Sequence, residues 1–414
     1  MRLDVRTVRL RLAEPLRISR SVTTERDAVQ LALGHGGLTG HGEVVSSVYL
    51  QLPTDRIRRE LDDLRPGLER FPDPEQALAE LRLGAAPFGA LPAGVLAAVE
   101  AALLDLVGKR AGEPVHRLLG RAEPVAAATA RTIGIEPPAR AAVQAARLAD
   151  AGFTVLKVKA GSADPGLDLV RVQAVHEAAP DARLLLDPNG AWTPEQALRL
   201  LPAFAATGVR AVEQPIAPGR PDLLAAVAER SPVPVIADED AVGYEDVCRL
   251  AGRVHGVNLK LAKCGGVHQV LRIEEALRGS GTELMLGCLA ASSLGIAPAV
   301  HLADRARWID LDGHLLLAHD PWQGIGGADG TVRTPDRAGL GVLPVPGAAP
   351  EPGRVPAAAR GVRADVRRSA DRDRPADRDR SADADPAADA GRSGDADRSA
   401  AARRPADVRP VAGR

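Results

Sequence analysis

Alternating apolar and charged positions open the chain. Residues Val5 to Leu12 and Ala28 to Leu33 alternate in this way, and the turn-prone His35-Gly36-Gly37 follows the second run. Alternation with a period of two is typical of strands with one buried face. A helical pattern follows, most clearly from Ala93 to Gly108. The first part of the chain therefore predicts an α+β domain, which we place at residues 1–118.

From about residue 119 the pattern becomes a repeat of a short apolar run, a polar loop and an amphipathic helix. The apolar runs are Val155 to Val158, Leu184 to Leu186, Ala211 to Val212, Val235 to Ile236, Val257 to Leu261 and Leu284 to Leu286. Strands that alternate with helices form a parallel sheet. So many repeats without a Gly-x-Gly-x-x-Gly fingerprint favour a closed barrel. The predicted fold class is α/β: a TIM-like (β/α) barrel of about seven or eight units over residues 119–320, capped by the N-terminal domain.

The end of the chain differs again. Residues 321–345 are predicted to return to the capping domain as a short segment. Residues 346–414 are repeats of Arg, Asp, Ala, Pro and Ser. Such a segment has too few large apolar groups to offset the entropy of ordering, so we predict a disordered low-complexity tail.

Composition narrows the possible partners. Among 414 residues, 53 Lys and Arg balance 54 Asp and Glu, and only 2% of residues are aromatic. This excludes a basic field and stacking platforms, so no nucleic-acid partner is expected. Three scattered cysteines form neither a disulfide framework nor a zinc motif. The absence of an apolar run of roughly 20 residues predicts a cytoplasmic protein without a membrane span.

Charged residues recur where the predicted barrel strands end. They are Lys157, Lys159, Asp187, Glu213, Asp238, Lys260, Asp310 and Asp312. The successive intervals along the series Lys159, Asp187, Glu213, Asp238 and Lys260 are 28, 26, 25 and 22 residues, each about one strand plus one helix. Because the carboxyl ends of barrel strands meet at one mouth, we expect these side chains to converge there.

The three acids at these positions predict a metal site. Asp187, Glu213 and Asp238 have no His or Cys partner, and an all-oxygen site selects Mg²⁺, with Mn²⁺ as a substitute. The ion can hold a carboxylate and stabilise the negative charge that develops when the neighbouring proton leaves. Lys159 and Lys260 flank the acids, so one can remove a proton and the other can deliver it to the opposite face.

Several segments resemble the muconate-lactonizing branch of the enolase superfamily. Lys157-Val158-Lys159 resembles its Lys-x-Lys motif. Leu186-Asp187-Pro188-Asn189, Val212-Glu213-Gln214-Pro215 and Ala237-Asp238-Glu239 resemble its three metal-ligand segments. Asn258-Leu259-Lys260-Leu261-Ala262-Lys263 resembles its sixth-strand motif, in which Lys260 is the acid/base. The resemblance covers about residues 1–345 and implies the capped-barrel fold.

Within that branch the chain is most similar to dipeptide epimerases of the L-Ala-D/L-Glu type. Leu284 to Leu289 resembles their seventh-strand segment, and Asp310-Leu311-Asp312 resembles their Asp-x-Asp motif. The resemblance implies that Asp310 and Asp312, on one strand face, hold the free ammonium of a dipeptide. It also implies that Thr132, Cys288 and Ala290 line the substrate backbone and that Lys157 sits against its carboxylate.

The implied activity is Mg²⁺-dependent epimerisation of a small dipeptide by 1,1-proton transfer at the C-terminal α-carbon, through an enediolate. A homo-oligomer is compatible with such a barrel. Other reactions on the same scaffold stay open: muconate cycloisomerisation, o-succinylbenzoate synthesis or N-acylamino acid racemisation. A barrel retained as a binding or scaffolding protein is a further alternative.

The sequence departs from the family pattern at a few positions. Pro188 and Gly190 stand where Ala and a polar residue are usual, and Asp240 stands where Ser is commoner. Arg20 lies in the segment Ile18-Ser19-Arg20-Ser21, where it could meet an acidic substrate side chain or lie on the surface. These departures bear on specificity more than on chemistry.

Overall fold

The computed structural model describes residues 1–347, so the predicted tail lies, from residue 348 onward, outside the described residues. The chain begins with a three-stranded antiparallel sheet in the order β1-β2-β3. Its strands are β1 (Arg2–Ile18), β2 (Ser21–His35) and β3 (Leu38–Val45). The pairing of β1 with β2 shifts register between Arg11 and Leu16. Pro15 lies in this interval and has no N–H for the ladder, which accounts for the irregularity.

Three helices follow this sheet. They are α1 (Thr54–Glu69), α2 (Pro74–Arg82) and α3 (Ala93–Ala111). Helix α3 packs very closely on β3: a Cβ added at Gly40 would lie 2.1 Å from the Ala102 oxygen, and one at Gly42 equally close to the Ala98 oxygen. Only glycine permits this approach, so the glycines of the Gly40-His41-Gly42 segment seat the sheet on the helix.

The second part of the chain is built from alternating strands and helices. The strands are β4 (Ala126–Ala128), β5 (Arg131–Ile133), β6 (Val155–Lys159), β7 (Arg183–Asp187), β8 (Val209–Glu213), β9 (Val235–Ala237), β10 (Gly256–Leu259), β11 (Glu283–Leu286) and β12 (Trp308–Ile309). The helices are α4 (Val115–Leu118), α5 (Pro138–Asp150), α6 (Pro165–Ala178), α7 (Pro194–Ala206), α8 (Pro221–Arg230), α9 (Tyr244–Leu250), α10 (Leu261–Cys264), α11 (Val267–Leu277) and α12 (Ser293–Val300).

Strands β5 to β12 form one parallel sheet of eight strands in chain order. The sheet curls so far that its edges approach each other, and Ala130 N donates to Ile309 O at 2.8 Å. The predicted α/β class, with a TIM-like barrel and an α+β cap, is confirmed. All strand carboxyl ends therefore point to one mouth.

The inside of the curled sheet is filled with apolar side chains. Leu185, Ala211, Ile236 and Met285 form a separate buried cluster with Trp308 against it. A Cβ on Gly256 would lie 2.6 Å from the Trp308 ring, so glycine makes room for the indole. The interior of the barrel is thus filled by apolar side chains, so polar side chains can meet only at the mouth.

A return segment joins the end of the barrel to the cap. It contains β13 (Trp322–Gln323), β14 (Thr331–Arg333) and β15 (Leu343–Pro344), and β14 pairs with β4. The buried Asp105 of α3 accepts hydrogen bonds from Leu340 N, His41 N and Lys109 Nζ, at 2.7 to 2.8 Å. These contacts link three parts of the chain, while the domain boundaries at 118 and 320 stay predictions.

No helix within residues 1–347 is both long enough and apolar enough to cross a membrane. The longest, α3, has 19 residues but carries Glu100, Asp105, Lys109 and Arg110.

Glu100 is a buried carboxyl at the contact of α3 with α11. It accepts a hydrogen bond from His268 N at 3.0 Å. A Cβ on Gly266 would lie 2.1 Å from Glu100 Oε2, so the carboxyl is tightly enclosed at the helix start. Burial raises the pKa of Glu100 to about 7, and the backbone hydrogen bonds only partly oppose this.

We expect this carboxyl to make folding stability depend on pH. Its pKa is higher in the folded chain than the ordinary 4.5, so between pH 4.5 and 7 the folded state keeps a proton that the unfolded state has released. Stability from this group is therefore lost as pH rises through that window, by about 3 kcal/mol in total. Urea unfolding should show the Glu100→Gln variant gaining about this much relative to the natural protein between pH 5 and pH 8. Glu195→Gln, an exposed control, should show no such gain, and a pH-independent difference for Glu100→Gln would contradict the account.

Candidate active site

Three carboxylates lie at the carboxyl ends of neighbouring barrel strands. Asp187 ends β7, Glu213 ends β8 and Asp238 follows β9. All three are buried, with at most 1% of each residue exposed. The structure therefore brings together the residues predicted as metal ligands, on consecutive strands.

Lys157 lies among these acids. Its Nζ is 3.1 Å from Asp187 Oδ2, 2.6 Å from Glu213 Oε2 and 2.8 Å from Asp310 Oδ2. Burial alone would lower the pKa of Lys157, but the three carboxylates outweigh burial and raise it well above its usual value. A charged Lys157 thus holds these acids together, and its role toward a substrate carboxylate stays a prediction.

The two lysines predicted as acid and base approach the acids from different directions. Lys159, at the end of β6, donates a hydrogen bond to Asp187 Oδ2. Lys260, directly after β10, donates to Asp238 Oδ2 at 2.7 Å. Strands β7, β8 and β9 lie between β6 and β10 in the curled sheet. Burial alone would lower the pKa of Lys260, but Asp238 and Glu213 outweigh it and raise the pKa.

A fourth lysine, Lys263, also contacts the acids, although it was not predicted as a site residue. Its Nζ donates to both O and Oδ1 of Asp238 at 2.6 Å and to Asn258 O at 2.9 Å. Burial would raise the pKa of Asp238, but Lys260 and Lys263 hold it well below its usual value. The spacing of three residues between the two lysines, one turn of α10, was the sequence signal for this contact.

Two amide side chains that were also not predicted orient the acids. Asn189 donates to Asp187 from its backbone N, at 2.9 Å, and from Nδ2, at 3.2 Å. Asn258 Nδ2 donates to Glu213 Oε1 at 2.9 Å. Asn189 has a φ of 50°, an uncommon backbone conformation for a residue with a Cβ. The local sequence does not predict the contacts of Asn189 with Asp187, because they depend on this backbone conformation.

Gln214 connects the ends of β8 and β9. Its Oε1 accepts from the backbone N of Asp238 at 2.9 Å and of Asp240 at 3.2 Å, and its Nε2 donates to Asp240 Oδ2 at 2.7 Å. Asp240 Oδ1 accepts from Gly219 N at 2.6 Å. Asp240, a departure from the family pattern, therefore supports the loop around the acids. Gly190, another departure, has a φ of 77°, which glycine adopts without strain.

Asp310 and Asp312 lie beyond the end of β12, so they do not share a strand face as predicted. Asp310 Oδ2 pairs with Lys157, while its buried Oδ1 has no hydrogen-bond partner among residues 1–347. Asp312 Oδ2 accepts from Arg131 Nη1 at 3.1 Å and from Thr132 N at 2.8 Å. Arg131 was not predicted, because 181 residues separate it from Asp312 and no local pattern connects them.

A cavity of about 950 Å³ opens above these side chains. Nine of the eleven predicted site residues line it: Thr132, Lys157, Lys159, Asp238, Lys260, Cys288, Ala290, Asp310 and Asp312. Asp187 and Glu213 lie beneath, in contact with Lys157. Burial, together with Asp312 and Asp310, raises the pKa of the Cys288 thiol well above its usual value. Cys288 is therefore a neutral wall of the cavity and a poor nucleophile.

The cap holds one wall of this cavity in place. Glu43 of β3 accepts hydrogen bonds from Ser292 N at 2.8 Å and Ser292 Oγ at 2.5 Å, and from Gln30 Nε2 at 2.7 Å. Ser292 ends the loop that carries Cys288 and Ala290, and it is the residue directly before α12. The cap therefore anchors the barrel loop predicted to line the substrate.

Arg20 of the cap contacts two residues at the barrel mouth. Its Nη1 donates to Asn189 O at 2.8 Å, and its Nη2 lies 2.6 Å from Glu239 Oε1. Arg20 is therefore neither a free surface arginine nor an uncompensated one. Its charge is already matched by a carboxylate of the barrel.

The chemistry of the acids fits a hard divalent cation. Besides the acids themselves, buried oxygens of Asn189, Glu239 and Asn258 lack hydrogen-bond partners in the described part of the chain. Carboxylate and amide oxygens are the ligands that suit Mg²⁺. Within residues 1–347, no three acids lie close enough together to hold a metal ion in their present positions. Lysine ammonium groups lie between the acids. The residues present therefore fit the ion, provided that the ammoniums move aside.

Family models match both parts of the chain. The model of the mandelate racemase / muconate lactonizing enzyme N-terminal domain matches residues 2–120, and that of the enolase C-terminal domain-like family matches residues 140–347. Fold and site together are those of the enolase superfamily. The chain belongs to the mandelate racemase / muconate lactonizing enzyme family.

Its relatives include several dipeptide epimerases. The chain is 34% identical to a hydrophobic dipeptide epimerase of Roseobacter litoralis, over 82% of this chain and 98% of the relative. It is 32% identical to an L-Ala-D/L-Glu epimerase of Bacteroides thetaiotaomicron, over 78% and 83%. A dipeptide epimerase from Methylococcus capsulatus, solved with Mg and L-Arg-D-Lys, has a TM-score of 0.75 and 32% identity, over 82% and 98%. The predicted resemblance to dipeptide epimerases is confirmed, and the chain is an isomerase.

The loop support by Asp240 can be measured. Asp240→Ala removes the acceptor for Gln214 Nε2 and Gly219 N, so we expect the free energy of unfolding to fall by about 1–3 kcal/mol. Asp222→Ala, in an exposed ion pair with Arg253, is the control and should change little. Urea denaturation measures both, and equal losses in the two variants would refute the support role.

Proposed function

We propose that the protein is a magnesium-dependent dipeptide epimerase that moves a proton at the α-carbon of the C-terminal residue. The observation that carries this proposal is the placement of Lys159 and Lys260 beside Asp187 and Asp238, on separate sides of the buried acids. Two amines on opposite faces of one carbon can remove a proton from one face and return one to the other, which inverts the centre. The dipeptide epimerases among the relatives support this substrate class.

Asp187, Glu213 and Asp238 would hold the ion, with Mn²⁺ acceptable to the same oxygen ligands. When bound, Mg²⁺ supplies positive charge that binds a substrate carboxylate and stabilises the negative charge developing beside the reacting carbon. Lys157, which contacts Asp187 and Glu213, would add a second positive charge against that carboxylate. The magnesium in the Methylococcus capsulatus complex supports the choice of ion.

The proton transfer uses the two lysines in complementary states. Neutral Lys159 accepts the α-proton while the electron pair of the C–H bond moves into the carboxylate, giving an enediolate. The Lys260 ammonium then donates its proton to the other face, and the electron pair returns to form the new C–H bond. The reverse reaction uses the lysines in exchanged roles.

Two further acids of the cavity lining suit a cation. Asp310 keeps a buried oxygen without a partner in the described residues, and Asp312 lies beside it. We infer that these carboxylates hold the free ammonium of the dipeptide, a charge-assisted hydrogen bond. Thr132, Cys288 and Ala290 line the same cavity as these acids and the lysines, which supports their role along the substrate backbone.

The alternatives fit these charges less well. Muconate and o-succinylbenzoate are dianions, and the carboxylates of Asp310 and Asp312 would repel the second negative charge. N-acylamino acids lack the ammonium that these acids would bind. A scaffolding protein would have no need for four lysines around the acids, three of them buried.

Isotope exchange tests the reaction. Each lysine serves one stereoisomer as base, so Lys159→Ala should still exchange the α-proton of one epimer in D₂O, and Lys260→Ala that of the other. Epimerisation itself should fall at least about a hundredfold in both variants. Mass spectrometry of a dipeptide library in D₂O measures the exchange, and the two variants serve as controls for each other. Absence of deuterium from the α-carbon of every dipeptide incubated with the natural protein and Mg²⁺ would exclude the proposed reaction.

Ion binding can be tested without activity. Excess Mg²⁺ should raise the melting temperature of the natural protein, because a ligand at about a hundred times its Kd adds about 2.7 kcal/mol to stability. Asp187→Asn and Glu213→Gln should lose this shift. Asp222→Asn, which changes an exposed acid outside the cavity lining, should keep it. An identical shift in all four proteins would place the ion elsewhere.

A further inference from the structure

The loop that follows β6 is held by one buried acid of α6. Asp168 has no exposed surface. Its Oδ2 accepts hydrogen bonds from Gly161 N at 2.7 Å and Ser162 N at 3.0 Å. Its Oδ1 accepts from Ser162 Oγ at 2.6 Å and pairs with Arg171 Nη1 at 2.6 Å. Three of these four hydrogen bonds go to the loop, so Asp168 fixes its path.

This loop packs against the proposed ion site. Gly161 comes two residues after Lys159. A Cβ on Gly161 would lie 2.5 Å from Ala191 Cβ and 2.7 Å from Pro188 O, so the loop touches the segment directly after Asp187. A shift of the loop would therefore change where Lys159 lies relative to that acid.

The position of Lys159 depends strongly on its backbone. Among residues 1–347 its amine pairs with Asp187 alone, and in the proposed reaction that carboxylate holds the ion. The side chain of lysine is long and flexible, so without this partner the backbone largely determines where the amine can reach. A misplacement of about 1 Å can lower a reaction rate about a hundredfold. The loop after β6 therefore bears on the proton transfer by Lys159.

The chain after Lys260 is supported in a different way. Helix α10 follows Lys260 directly, and Lys260 O accepts hydrogen bonds from Lys263 N at 2.7 Å and Cys264 N at 3.1 Å. The backbone thus holds itself at this position. Within the described residues, the hydrogen bonds of Asp168 go only to its own loop and to Arg171. Asp168 is therefore linked to one of the two lysines and not to the other.

We propose that Asp168 is a positioning residue for Lys159, acting through the backbone of Gly161 and Ser162. This rests on the proposed epimerase function. Asp168 does not line the cavity, so it acts without touching the substrate. Charge-assisted hydrogen bonds from backbone N–H groups to a carboxylate are strong, which suits this support. The half of the reaction that uses Lys159 as base needs Asp168, whereas the half that uses Lys260 does not.

Proton exchange in single-lysine variants tests the inference. In Lys260→Ala only Lys159 exchanges the α-proton in D₂O, and in Lys159→Ala only Lys260 does. We add Asp168→Asn to each variant of the full chain with Mg²⁺, and follow deuterium uptake by mass spectrometry. The substrates are a dipeptide that the natural protein epimerises and its C-terminal epimer. Asp168→Asn should slow exchange by Lys159 about tenfold and change exchange by Lys260 less than about twofold.

A second variant guards against loss of the fold. Asp168→Asn leaves the buried Arg171 without a carboxylate, which lowers stability and would slow both exchange reactions equally. Ser162→Ala removes only one hydrogen bond to Asp168 and keeps the Arg171 pair. It should slow exchange by Lys159 alone, by a smaller factor. Asp164→Ala is the matched control: this exposed residue caps α6 through Gly166 N, and its loss should slow neither reaction.

The outcomes separate the inference from the function on which it rests. Equal slowing of both reactions by Ser162→Ala, or unchanged exchange by Lys159 in both loop variants, would overturn the role of Asp168 and leave the epimerase function standing. A natural protein that epimerises no dipeptide would remove both.

Discussion

Buried carboxylates stay charged only beside cations, and this constraint organises the mouth of the barrel. Asp187, Glu213, Asp238 and Asp310 are all buried, and each contacts a lysine Nζ. Removing one partner from such a cluster leaves an uncompensated buried charge. The lysines are therefore part of the stability of the site as well as of its proposed chemistry. Their presence also explains why the acids do not form a closed ligand set among residues 1–347.

The cap and the barrel build this site jointly. Strand ends of the barrel supply the acids and lysines, whereas the cap supplies Glu43, which anchors the loop before α12, and Arg20, which reaches Glu239. The return segment ties the two together through Asp105 and Leu340. A substrate in the cavity would therefore contact the lysines and acids of the barrel on one side and residues of the cap on the other.

Much of the fold was predictable because it follows from periodic patterns. The runs before Asp187, Glu213 and Asp238 form strands β7, β8 and β9. Their similar spacing along the chain, of 26 and 25 residues, brings the three acids together at one mouth. Contacts that depend on unusual backbone angles were not predictable, such as those of Asn189 and Gln214, with φ of 50° and 36°.

Pairings between distant residues escaped prediction as well. The partner of Asp312 is Arg131 at the other edge of the sheet, and nothing in either local sequence indicates the other. Such features depend on tertiary structure alone.

The most direct test of the account is a crystal structure with Mg²⁺ and a dipeptide. We expect the ion on oxygens of Asp187, Glu213 and Asp238, with the Nζ atoms of Lys159 and Lys260 on opposite faces of the C-terminal α-carbon, about 3–3.5 Å away. An ion bound elsewhere, or both amines on one face of that carbon, would contradict it.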